Sequence, residues 1–136
     1  MRRMFPVALA LALMGTGCDN SAGGNTSPTV TLTQETFTGT VEPGSSDSHG
    51  FTSAQSGEID ITLTAAGPPA TIFMGLGVGI AGGSTCQPLN GGTVSTRAGT
   101  TPQLVGTAGA GSYCVVVYDI GNQTATVTYS VTVAHP

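Results

Sequence analysis

From Ala125 to Val133 apolar and polar residues alternate. Ala125, Val127, Tyr129, Val131 and Val133 would share one face of an extended chain, with Thr124, Thr126, Thr128, Ser130 and Thr132 on the other. A period of two predicts a strand with one face on a core and the other in water. Glu58–Thr64 repeats the pattern with Ile59, Ile61 and Leu63 inward. Tyr113–Tyr118 is apolar on both faces, which predicts a central strand covered on each side. Gly111 and Gly121 bracket it, and Asp119 opens its exit turn. Further strands are predicted over Thr29–Thr33, Glu35–Val41, His49–Ala54, Thr71–Ile80 and Gln103–Thr107. No segment after residue 18 carries a helical period, and the density of Thr, Gly and Val disfavours helix. Seven or eight short strands with frequent turns predict an all-β chain folded as a single antiparallel β-sandwich.

The N-terminal pattern is different. Arg2 and Arg3 precede an apolar run from Val7 to Met14 and a small-residue segment, Gly15-Thr16-Gly17, that ends at Cys18. A charged start followed by a short apolar stretch is the order of a secretory signal. The run falls well short of the roughly 20 residues that a membrane-crossing helix needs. Gly15-Thr16-Gly17-Cys18 resembles the lipobox of bacterial lipoproteins, although Gly15 stands where leucine is usual and Leu13 comes two places early. That resemblance implies a signal over residues 1–17, with Cys18 acylated on its sulfur as the first mature residue. The alternative is an ordinary signal cleaved after Ala10 or Ala12, which leaves Cys18 a plain thiol. Residues 18–27 are small and polar and read as a flexible tether. The folded domain is expected over 28–136.

Cysteine count and charge narrow the picture. With Cys18 assigned to lipid, Cys86 and Cys114 remain as a pair that an oxidising compartment would join. The closed loop of about 29 residues would stabilise the fold by about 3–4 kcal/mol on the chain-entropy model. Two separate buried thiols are the alternative. Neither cysteine has a CxxC partner, and His49 and His135 are not at ligand spacing from them. Without the signal, Arg97 is the sole cation against Asp19, Glu35, Glu42, Asp47, Glu58, Asp60 and Asp119. A chain so poor in cations cannot neutralise phosphates, which excludes nucleic acid as a partner. It also excludes a polybasic membrane patch, leaving lipid at Cys18 as the membrane attachment.

Catalytic motifs fail on geometry. Gly77-Val78-Gly79-Ile80-Ala81-Gly82 matches a bare GxGxxG string, but it runs into Gly83-Ser84-Thr85-Cys86-Gln87-Pro88 rather than a helix that could hold a pyrophosphate. Gly75, Gly77 and Gly79 would share one strand face, where another backbone or a ligand could approach closely. Close sheet packing or a bulge is the simpler account. Asp47-Ser48-His49 holds the residue types of a hydrolase triad, yet adjacent residues on a strand point to opposite faces and cannot form the relay. No GxSxG elbow is present. The chain reads as no enzyme and calls for no cofactor. Asp47, Glu58, Asp60 and Asp119 are placed at strand ends or on outward faces, where carboxylates could converge on Ca²⁺, although no D-x-D-x-D-G loop exists. There is no Trp to stack on sugar; Tyr113 and Tyr118 point to opposite faces, so one of them could be exposed.

Five stretches carry a further resemblance. Phe37-Thr38-Gly39-Thr40-Val41, Ser46-Asp47-Ser48-His49-Gly50-Phe51 and Gly57-Glu58-Ile59-Asp60-Ile61-Thr62-Leu63 are similar to the front half of bacterial pre-peptidase C-terminal domains. Gly111-Ser112-Tyr113-Cys114-Val115-Val116-Val117 and Tyr129-Ser130-Val131-Thr132-Val133 are similar to their closing strands. His49 stands where those domains usually carry an aromatic, and Thr71-Ile72-Phe73-Met74-Gly75 replaces an acidic strand. The resemblance implies a jelly-roll-like sandwich that serves as an accessory or binding module of an exported protein. The expected setting is the bacterial cell envelope, facing periplasm or exterior, with another envelope protein or a polysaccharide as partner.

Overall fold

The computed structural model describes residues 29–136; the stretches read as a signal (1–17) and a tether (18–27), Cys18 included, lie outside the described residues, as does Pro28. Eight strands follow one another: β1 (Thr33–Val41), β2 (Ser46–Ser53), β3 (Gly57–Gly67), β4 (Met74–Gly82), β5 (Thr85–Thr96), β6 (Leu104–Ala108), β7 (Gly111–Tyr118) and β8 (Val127–His135). They form two antiparallel four-stranded sheets, ordered β1-β8-β3-β6 and β2-β7-β4-β5. Successive strands change sheet from β1 to β4 and from β5 to β8, the interleaving of a jelly roll.

The core is where the alternating patterns placed it. Ile59, Ile61 and Leu63 of β3 and Val127, Tyr129, Val131 and Val133 of β8 face Met74 and Leu76 of β4 and Val115 and Val117 of β7. Each of these is buried. On the chain-wide scale of about 1.5–3 kcal/mol per fully buried large apolar side chain, this layer is the main source of stability. β7 is central in its sheet, and Cys114 and Val116 on its outer face are buried as well.

Two elements differ from expectation. Thr29–Leu32 forms no strand, because β1 is an edge strand paired only with β8, and that pairing ends at Thr33 opposite His135. β5 was not foreseen: its middle, Pro88-Leu89-Asn90-Gly91-Gly92, has turn composition. It nevertheless pairs with β4 at both ends, Gly82 with Thr85 and Met74 with Thr96, and bulges between Pro88 and Thr93. Ala125, expected inward on the last strand, is exposed and precedes β8.

β6 is short, and a side chain extends its work. Beyond Leu104 the Gln103 amide accepts from the Leu63 N–H at 2.7 Å and donates to the Leu63 carbonyl at 3.4 Å. The Gln103 N–H donates to Ile61 O at 3.0 Å. One glutamine thus satisfies the edge of β3 where the strand ladder stops.

Candidate functional site

The four carboxylates that could have converged on Ca²⁺ do not meet. Asp119 sits in the turn after β7, where Oδ2 accepts from Gly44 N at 2.8 Å and Oδ1 from Gly121 N, Asn122 N and Gln123 N at 2.8, 3.1 and 3.2 Å. These backbone donors, Gly44 first, hold its pKa below the ordinary value. Asp47, expected outward, instead shares the inner face of β2 with Phe51 and accepts from the Tyr129 hydroxyl at 2.7 Å. Glu58 and Asp60 lie on β3, in the other sheet; Glu58 is exposed, and one oxygen of Asp60 is buried without a partner. Among the described residues no three His, Cys, Asp or Glu side chains are grouped to hold a metal ion.

Asp47 belongs to a polar cluster near the β1–β2 side of the sandwich. The single proton of Tyr129 goes to Asp47, so the His49 Nε2–H must donate to the same phenol oxygen, at 2.8 Å. His49 also lies 3.7 Å from Asp47 and stacks on Phe37, with ring centroids 4.9 Å apart and planes within 8°. His49 therefore packs as an aromatic side chain would. Gly39 makes the room, since a Cβ there would strike the Asp47 carboxylate and the Tyr129 hydroxyl. Burial, then Asp47, push the Tyr129 pKa up. Ser48 alternates to the opposite face of β2, so Asp47-Ser48-His49 forms no relay.

His135, the last residue of β8, is buried. Its Nε2 lies 2.8 Å from Glu35 Oε1 and its Nδ1 3.2 Å from Pro136 O, while its ring packs on Phe51. The signal was present in the sequence: His135 has the parity of Val131 and Val133 on β8.

The outer face of the β2-β7-β4-β5 sheet carries a disulfide and three close-packed glycines. Cys86 of β5 and Cys114 of β7 are joined, with Cα atoms 5.7 Å apart. These strands are separated by β4, so a flat sheet would hold them roughly 10 Å apart. β5 closes that distance by folding over β4 at Gly79, which pairs with Cys114 on one side and Pro88 on the other. A Cβ on Gly79 would run into the Gln87 carbonyl and lie 2.9 Å from Pro88 Cα. Gly77 admits Val116, and the Tyr118 ring is laid against Gly75. The alternating glycines thus serve close packing, the simpler of their two readings.

The result is an open groove of about 670 Å³. Val116, Tyr118 and the Cys86 end of the disulfide form its floor, with Pro88 and Thr93 on one side and Ser45 and Ser46 on the other. A second, apolar cleft of about 190 Å³ opens between β6 and the β5 bulge, lined by Ile59, Ile61, Leu104, Leu89 and Tyr113. Gly106 opens onto it, and a Cβ there would meet nothing within 4 Å. Sequence reasoning missed both, because each depends on where β5 lies.

A scan against protein-family models and a search of curated proteins each return no match to this chain.

Proposed function

We propose that this chain is a non-catalytic accessory module of the bacterial cell envelope, held to a membrane by lipid on Cys18 and facing periplasm or exterior. The observation that carries the reading is the Cys86–Cys114 bridge. It uses two of the three cysteines in a bond suited to an oxidising compartment, and it leaves Cys18 as the one available for acylation. The jelly-roll strand order supports the resemblance to pre-peptidase C-terminal domains, which serve exported proteins as accessory modules. The lack of a nucleophile–base relay at Ser48 and His49 favours binding over catalysis.

Metabolic labelling with an alkyne fatty acid tests the anchor. The wild type is expected to take the label and Cys18→Ser to lose it. Equal labelling of the two proteins would overturn the anchor.

A further inference from the structure

We infer that the groove beside the disulfide is a binding site for a neutral saccharide, which stacks on Tyr118 and is gripped from both sides by hydroxyl groups. The inference deepens the accessory-module reading and rests on it only for the place where glycan would be met. Three observations converge. The groove's volume, about 670 Å³, falls within the roughly 300–1,000 Å³ typical of small-molecule sites. Tyr118 is half-buried, one side of its ring seated on the backbone at Gly75, which leaves a supported aromatic surface in the groove. A ring fixed in this way loses little freedom when a ligand's apolar face covers it.

The walls define the chemistry of the ligand. Ser45, Ser46 and Thr93 are exposed along the groove, and each hydroxyl can donate and accept, as sugar hydroxyls do. Asp119 is the one ionisable side chain of the lining apart from Tyr118, and its carboxylate oxygens already accept four backbone N–H hydrogen bonds. Arg97 is engaged over the Phe73 ring, 4.4 Å from its centroid, and does not line the groove. An anionic ligand would find no cation here, and a cationic one would find the Asp119 oxygens already committed to backbone donors. A neutral polyhydroxylated ring fits both the aromatic floor and the uncharged rims.

The bridge gives the site its shape. Thr93 and Pro88 stand over β4 because β5 folds across Gly79 and is pinned there by Cys86–Cys114. The groove is therefore formed before any ligand arrives, which lowers the ordering cost of binding.

The test titrates the purified full-length protein with maltohexaose, cellohexaose and chitohexaose, following tyrosine fluorescence and calorimetric heat. Binding of at least one is expected, weakened roughly tenfold or more by Tyr118→Ala. Thr93→Trp changes an exposed position and fills the groove, so it is expected to weaken binding to the same degree while the fold stays intact. Val105→Ser, on the other sheet, is expected to leave binding unchanged. Absence of binding to all three sugars, or binding that both groove variants retain at full strength, would overturn the site. A chain that takes the lipid label and binds no sugar loses this inference alone. A chain that binds sugar without the label loses the anchor alone.

Discussion

Tyr129 has one proton, and two neighbours compete for its hydroxyl. Its hydroxyl donates to Asp47 and accepts from the His49 Nε2–H, so the phenol is committed to its neutral form in the fold. Burial and the Asp47 charge both oppose its ionisation, raising its pKa above the ordinary value near 10. In the unfolded chain that phenol ionises normally. Stability from this group is therefore complete below pH 10 and is lost as pH rises beyond it, by about 1.4 kcal/mol per pH unit. Tyr129→Phe should lose about 1 kcal/mol at neutral pH through the missing hydrogen bonds. It should also lose stability less steeply than the wild type above pH 10. Urea melts of both proteins between neutral and alkaline pH check this, and the tyrosines common to both cancel in the comparison. Parallel curves would show that the cluster leaves the phenol free to ionise.

At the scale of the strand, β4 and β5 show how a glycine pattern is converted into a covalent link. Gly79→Val would set a side chain where the Gln87 carbonyl lies. β5 would have to lift away, separating Cys86 from Cys114. We expect a loss of about 1–3 kcal/mol from overpacking alone. Free thiols in the folded variant, counted with a maleimide reagent, would report the parted cysteines; a fully bridged variant would contradict the fold-over. The strands that sequence reasoning located, such as β3 and β8, are those whose two faces meet different media. The alternation of Ile59, Ile61 and Leu63 records that contrast directly. β5 has no such contrast: most of it is exposed, and its bulge borrows turn residues. Asp47 was misplaced because its charge argued for solvent, whereas its parity with Phe51 argued for the interior. Its partner Tyr129 lies 82 residues away, beyond the reach of any local pattern. The pairing of Cys86 with Cys114 was legible by counting, but the groove their union shapes was not.

Taken whole, the molecule is a jelly roll whose two sheets each draw strands from both ends of the described chain. β1, β2, β3, β4 and β5 precede Arg97, and β6, β7 and β8 follow it. Beyond Arg3 there is no other lysine or arginine, and Arg97 is exposed in the connection between β5 and β6. That connection lies inside the loop closed by Cys86 and Cys114. Trypsin therefore has a single place to cut the folded domain, and the cut cannot release either piece. The nicked protein should run as one band on a non-reducing gel and as two after reduction. Its fold should persist as well, since every sheet still interleaves strands from both fragments. To a trypsin-like protease, this sandwich is a ring with one opening and a clasp across it.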